Sequence, residues 1–406
     1  MNSKKLIEDI YKEAIRARNI VSRYARRTPI DHSTTFSKIA RGTVYLKYEN
    51  LQRTGSFKIR GALYKIYKLS GKVKGVVAAS AGNHAQGVAF ASSALSIPSI
   101  IVMPETASIS KIEATRNYGA KVILHGKIYD EAEIKAREIA REKNYYLVHP
   151  FDDIDVIAGQ ATIAFEILEE INDIDAILVP VGGGGLISGI ATVAKKIKPS
   201  IKIIGVEPEN APKTYYSLKV GRPVEVEVKP TIADGLATKK LGDITFTVIK
   251  DLVDEIVLVS EEDLAHAIYL LLERGKILAE GAGAAPIAAL LSSTFDLKGK
   301  SIVALISGGN IDLTALYRLV LRGLTAYGRI VTIQGYVYDV PGTLAEITSI
   351  IAQYRGNILD VLHDRIAIDA PAWHTSLKIV FEVPSQEASK AIIEELQKRG
   401  YKFKIT

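Results

Sequence analysis

Short apolar runs separated by amphipathic stretches of helical period fill the middle of this sequence, and that alternation restricts the fold more than any other feature. Residues 75–79, 99–103, 121–124 and 146–149 read as strands, with helices between them at about 85–95, 110–118 and 131–143. A second series follows: helix 158–171, strand 176–181, helix 186–197 and strand 202–207. Strands that are apolar on both faces, each followed by a helix, predict an α/β fold with parallel sheets covered on both sides. Two such series predict two lobes facing a cleft, a common seat for a cofactor. Ahead of them, residues 1–27 read as one helix with Leu6, Ile10, Ala14, Ala17 and Val21 on one face, ended by Thr28-Pro29. A short strand at 44–47 and a helix at 56–69 complete the N-terminal part.

The pattern changes at residues 326–328. Residues 329–337 alternate, with Val331, Ile333 and Val337 on one side and Thr332, Gln334 and Tyr336 on the other. The turn Asp339-Val340-Pro341-Gly342 leads to a helix at 343–354, followed by extended runs at 357–367 and 376–383. A helix at 386–399 and a last strand at 401–405 follow. This order, βαββαβ, predicts a separate α+β domain over 329–406. The first 325 residues are then one two-lobed unit, with a smaller lobe nested at about 50–150.

Composition narrows the function. A chain of 406 residues exceeds one ordinary domain, and 48% hydrophobic with 24% charged residues is typical of soluble proteins. No apolar run approaches the roughly 18–20 residues that cross a bilayer. The opening Met1-Asn2-Ser3-Lys4-Lys5 lacks the apolar stretch of a signal peptide, so a cytoplasmic protein with no membrane contact is expected. Without cysteine, disulfides, thiolate metal sites and thiol nucleophiles are excluded. The net charge of +7 is spread through stretches such as 131–143, where bases alternate with acids. That is the pattern of a solvated mixed-charge surface, not of a nucleic-acid patch.

Two segments carry chemistry. Gly182-Gly183-Gly184-Gly185 lies between a strand and a helix that begins at about Leu186. Glycines let backbone N–H groups point inward, and the helix N-terminus adds aligned donors and positive potential, which together make a phosphate cup. A flexible linker would not be held between a buried strand and an amphipathic helix. The loop is not a Walker loop, since no Gly-Lys-Ser/Thr follows. The second segment, Gly55-Ser56-Phe57-Lys58-Ile59-Arg60-Gly61-Ala62, puts a lysine at a helix start, where by itself it reads equally as a surface charge. Paired with a phosphate cup, it points to a phosphate-bearing aldehyde cofactor held as a Schiff base.

At this point a resemblance is specific. The Lys58 segment is similar to the cofactor-lysine signature of the serine/threonine dehydratases, in the fold-type II group of pyridoxal 5′-phosphate (PLP) enzymes. Ser80-Ala81-Gly82-Asn83-His84-Ala85-Gln86-Gly87 resembles their loop for the substrate carboxylate and the cofactor 3′-oxygen. The tetraglycine resembles their phosphate loop, and Ser307-Gly308-Gly309-Asn310 their pyridine-nitrogen segment. The likeness runs to about residue 325, and the remainder resembles an ACT domain. It implies β-elimination of L-threonine to 2-oxobutanoate and ammonia, and of L-serine to pyruvate. Lys58 would carry PLP and take the Cα proton. Asn83 would bond the 3′-oxygen, Gly182–Gly185 and Leu186 the phosphate, and Ser307 the ring nitrogen. Ser80, Asn83 and His84 would seat the substrate, with a capping or core imidazole as the other reading of His84. A serine at the ring nitrogen cannot keep it protonated as an aspartate would, which suits elimination over transamination.

Two departures from relatives matter. Serine racemases carry a serine where this chain has Ala81, so a proton donor for the opposite face is missing and racemisation is not expected. Relatives with a divalent cation use an acid where Lys213 stands, although Glu207 and Ala211 match; an ammonium there would repel a cation, and no metal ligand is assigned. Glu280 matches the family with no role assigned to it. In the ACT-like part, Gly342 and Asn357 resemble positions that bind a free amino-acid effector between paired domains; the other reading is that this part only dimerises. A homo-oligomer, dimer or tetramer, is implied either way. Trp373 and His374 fall in its second hairpin loop. Competing functions are serine dehydratase or another fold-type II lyase, and an amino-acid sensor whose catalytic part is vestigial.

Overall fold

The computed structural model describes residues 2–292 and 297–405, and the chain divides into two compact units, Met1–Asp312 and Leu313–Thr406. The first opens with α1 (Ser3–Tyr24), which buries the apolar face expected of it and is capped by Asn2, whose side chain accepts from the Lys4 N–H. β1 (Ile30–His32), α2 (Thr34–Ala40) and β2 (Thr43–Tyr48) follow. The first alternating series is α3 (Lys58–Leu69), β3 (Val76–Ala79), α4 (Asn83–Ala94), β4 (Ser99–Met103), α5 (Ile109–Asn117), β5 (Lys121–Leu124), α6 (Tyr129–Lys143) and β6 (Tyr146–Leu147). The second begins with α7 (Ile154–Glu170), β7 (Ala176–Pro180), α8 (Gly185–Ile197) and β8 (Lys202–Pro208). Beyond the range that the sequence pattern assigned come α9 (Lys213–Val220), α10 (Asp243–Leu252), β9 (Glu255–Val259), α11 (Glu261–Glu273), α12 (Gly281–Leu291) and β10 (Ser301–Ile306).

The strands form the two parallel sheets expected. One has the order β5-β4-β3-β6; the other runs β1-β2-β10-β7-β8-β9, with only its edge strand β1 antiparallel. β3, β4 and β7 are buried at every position, which is why they read as continuous apolar runs. Burying each of Ile177, Leu178 and Val179 contributes about 1.5–3 kcal/mol. β10 lies between β2 and β7, so the last strand of the unit pairs with one of the first. All three point the same way, and their carboxyl ends open on one edge. That edge carries the Ser56–Lys58 segment after β2, the tetraglycine after β7 and Ser307 after β10, as a ligand crevice at strand ends requires.

For three of the boundaries that differ from the sequence expectation, the structure supplies the reason. α3 starts at Lys58 because Ser56 bridges to Gly308 and the Phe57 N–H donates to the Ser307 carbonyl. β6 stops at Leu147 because the chain turns there, with His149 Nδ1 accepting from the Phe151 and Asp152 N–H groups. α7 starts at Ile154, where the Asp153 carboxylate accepts from the N–H groups of Asp155 and Val156.

The second unit holds α13 (Leu313–Ala326), β11 (Ile330–Tyr338), α14 (Thr343–Gln353), β12 (Asn357–Asp364), β13 (His374–Glu382), α15 (Gln386–Lys398) and β14 (Phe403–Ile405). Its antiparallel sheet has the order β12-β13-β11-β14. Ile333, Leu377, Ile379 and Phe381 face Ile347, Ile351 and Ile392 of the helices in one core. Trp373 sits in the turn before β13 and is exposed.

Candidate active site

Every sequence-predicted catalytic, cofactor and substrate residue of the first unit lines one cleft of about 520 Å³: Lys58, Ser80, Asn83, His84, Gly182–Gly185, Leu186 and Ser307. Lys58 reaches it from the first turn of α3. Its Nζ donates to the Pro150 carbonyl at 3.0 Å and stands 5.4 Å from the centroid of the Phe57 ring. Burial pushes this amine down to about 8, against the smaller pull of Glu280, so near neutral pH part of the population is the free base.

The tetraglycine is shaped by its neighbours. Gly184 has φ +91° and caps α8, a backbone conformation that an L side chain resists. A Cβ on Gly183 would lie 2.2 Å from the Phe151 ring. The Thr245 hydroxyl donates to the Gly183 carbonyl at 2.9 Å.

Opposite lies the turn after β3. The Ser80 hydroxyl accepts from the Gly82 N–H at 3.1 Å, and Asn83 opens α4. The Asn83 amide is locked in one orientation: its Nδ2 donates to Glu280 Oε1 at 2.6 Å, and its Oδ1 accepts from Asn310 Nδ2 at 2.7 Å. Asn310 is itself held by the Thr54 carbonyl at 2.8 Å. Burial, aided by the charge of Asp234, raises the Glu280 carboxyl to about 7. His84 is buried, with Nε2 3.2 Å from the Val148 carbonyl, and burial beside Lys58 lowers it to about 3, so its imidazole is neutral.

Among the cleft groups that sequence reasoning missed are the Pro150 carbonyl, the Phe151 ring and the hydroxyl of Thr238. A proline–aromatic turn at the carboxyl end of a parallel strand was the available signal for the first two. Glu280 matched a family position without a role; its partner Asn83 is 197 residues away, and no local pattern reports such a contact. The effector candidates belong to the second unit. Gly342 caps α14 at φ +98° with open space where a Cβ would stand, and Asn357 Nδ2 donates to Glu382 Oε1 at 3.1 Å.

The cleft fits a phosphate-bearing aromatic aldehyde. It offers a desolvated amine, a glycine loop packed too closely on Phe151, Gly235 and Thr245 to carry side chains, and the buried Thr238 hydroxyl, which has no hydrogen-bond partner among the described residues.

Comparison with known proteins agrees. Residues 21–308 match the family described as pyridoxal-phosphate dependent enzyme. An L-threonine ammonia-lyase of Thermotoga maritima is 48% identical over 402 residues, covering 98% of this chain and 99% of that protein. Among solved structures, threonine deaminase isoform 2 of Solanum lycopersicum superposes with a TM-score of 0.75 at 39% identity, over 79% of this chain and 94% of that one. Maize serine racemase superposes with a TM-score of 0.73 at 36% identity, over 78% and 98%. With this similarity along its length and a lysine, glycine cup and serine in one cleft, the chain belongs to the pyridoxal-phosphate-dependent enzymes of fold type II, in the threonine ammonia-lyase family.

Proposed function

We propose that this chain removes ammonia from L-threonine, and from L-serine, by β-elimination, giving 2-oxobutanoate or pyruvate. The observation that carries this reading is the meeting of a desolvated lysine amine, a four-glycine cup and a serine at one cleft, in a chain 48% identical to an L-threonine ammonia-lyase. When bound, PLP supplies an electron sink for the pair left at Cα.

The rest falls to the chain's own residues. Lys58 is the covalent attachment point and then the base at Cα, a role favoured by burial that lowers its proton affinity. The N–H groups of Gly182–Gly185 and Leu186 hold the phosphate at the start of α8. Ser307 meets the ring nitrogen with a hydroxyl, which forms a hydrogen bond without a formal charge. Asn83, its amide oriented by Glu280 and Asn310, bonds the 3′-oxygen. Ser80 and the first N–H groups of α4 seat the substrate carboxylate. Neutral His84, bonded to Val148, supports this wall of the cleft and lies within reach of the same substrate.

Purified protein given PLP is expected to turn yellow, and borohydride to bleach the colour and fix the label on Lys58. Added L-threonine should then yield 2-oxobutanoate. A label on another lysine, no chromophore, or no keto acid from threonine or serine would overturn the reading. Lys58→Ala is expected to lose elimination by several orders of magnitude.

We further read residues 1–325 as the catalytic domain and 329–406 as an ACT-like domain that binds a branched-chain amino acid at Gly342 and Asn357 between copies of this chain in a dimer or tetramer. The open Gly342 turn supports this, as does the edge strand β12 with Leu359, Val361 and Leu362 exposed. Coupling of about 1–3 kcal/mol would follow from differential affinity for two subunit arrangements. Titration calorimetry of the intact enzyme with isoleucine, valine, threonine and serine tests it. Absence of heat and of any rate change at millimolar levels would leave an assembly role.

A further inference from the structure

Four oxygen atoms from four places in the chain converge on the ammonium of Lys213. Its Nζ lies 2.9 Å from the Val181 carbonyl, 3.0 Å from that of Leu236, 3.4 Å from that of Ala211 and 2.8 Å from Glu207 Oε1. Lys213 and Glu207 are both fully buried. Glu207 also accepts from the N–H and hydroxyl of Thr214 and the N–H of Tyr215, which hold its carboxyl group in place. Carbonyl dipoles aimed at one point repel one another unless a cation stands between them, and three carbonyls with a carboxylate are the donor set of a hard-cation site. Burial pulls the Lys213 amine below the ordinary lysine range, and Glu207 pulls it back. The neighbours favour the charged form. All four are acceptors, and a neutral amine would turn its lone pair toward one of them.

The carbonyls in this cage belong to the cofactor cleft. Val181 is the residue before Gly182. Leu236 lines the cleft beside Gly235, whose carbonyl lies 3.0 Å from where a Cβ on Gly182 would stand. We propose that Lys213 is a tethered cation, filling an oxygen cage that a dissociable ion would otherwise occupy and thereby fixing the Gly182–Gly185 cup against the 234–236 segment. Lys213 is thus a positioning residue for the phosphate. The chain's hold on PLP then needs no added metal or monovalent ion. The inference rests on the cup being the phosphate site, as read above.

The test uses the full-length enzyme and three variants, reading PLP release by loss of the visible band and the thermal midpoint with and without PLP. Wild type should be indifferent to chelator, Mg²⁺, K⁺ and methylammonium. K213A empties the cage and should release PLP about tenfold faster or more. One of those cations should restore it in a saturable way. K213M keeps the length of the stem without the charge, and should stay defective with every cation because its side chain blocks the cage. A wild-type-like K213M, or a soluble K213A that no cation restores, would overturn the proposal. If K213A does not fold, K213M decides. Recovery of normal PLP hold in E207Q/K213M would show that the ammonium only neutralises Glu207, which also overturns the cage. A wild type that takes up no PLP would instead sink the functional reading, while midpoints of the PLP-free variants still report on the cage.

Discussion

Gly183→Ala tests how the cup packs against the Phe151 ring. The added methyl would meet three atoms of the Phe151 ring at 2.2, 2.3 and 2.4 Å. Ordinary carbon contacts lie at about 3.5–4.0 Å, so ring or loop must retreat by about 1 Å. On the protein side neither retreats easily, and the open side of the ring is the cleft itself. The His149 ring stands edge-on to Phe151 at 4.7 Å between centroids, and the Phe151 Cα lies 3.1 Å from where a Cβ on Gly185 would be. Phe151 also follows Pro150, whose carbonyl receives the Lys58 ammonium, so pushing the ring disturbs both the cup and the lysine. Overpacking of this kind costs about 1–3 kcal/mol. Carried by the PLP-competent conformation, that weakens PLP binding by about 5- to 150-fold. The assay is titration of PLP-free enzyme, followed by the visible band, for wild type, G183A, F151A and the double variant. Removing the ring should relieve the methyl, giving a coupling energy of at least about 1 kcal/mol. A G183A protein within twofold of wild type, or additive effects in the cycle, would refute the packing argument.

PLP capture by stripped enzyme should follow the free-base fraction of Lys58, which burial holds near 8. The rate then rises about tenfold per pH unit below that value and levels above it; a plateau reached only near pH 10 would contradict the desolvated lysine. Glu280, raised by burial to about 7 from an ordinary 4.5, binds a proton in the folded chain that the unfolded chain has already released. Stability should therefore fall as pH rises through 4.5–7, and E280Q, which keeps an acceptor for Asn83, should flatten that part of the midpoint-versus-pH curve relative to wild type. An unchanged curve would place the carboxyl in solvent-like surroundings. With L-serine, pyruvate should form while D-serine stays near background, because Ala81 has no proton to give; comparable rates of the two products would refute this, and Ala81→Ser should raise D-serine formation.

Much of the architecture was legible because parallel strands and their helices leave local marks. β4 falls at its predicted residues, since burial on both faces makes a continuous apolar run and the flanking helices carry a different period; β5 does so too, although it is an edge strand exposed at both ends. The place of the tetraglycine between β7 and α8 was legible as well, because four glycines between a strand and a helix leave a mark within a few residues. What local pattern could not report was which strand ends would meet. β10, between β2 and β7, brings Ser307 to the Lys58 segment, and that pairing also sets where α3 begins. Side-chain environment was equally hidden. Lys58 and Lys213 both open helices; in sequence the first reads equally as a surface charge, and the second only as a lysine where relatives with a cation carry an acid. Sheet order half-buries the first and fully buries the second, giving Lys58 one backbone carbonyl at a cleft wall and Lys213 a cage of four oxygens. Periodicity determines which face of an element turns inward, but a lysine's partners also include groups tens of residues away, such as Pro150 for Lys58 and Val181 and Leu236 for Lys213, which only the folded chain brings within hydrogen-bonding distance.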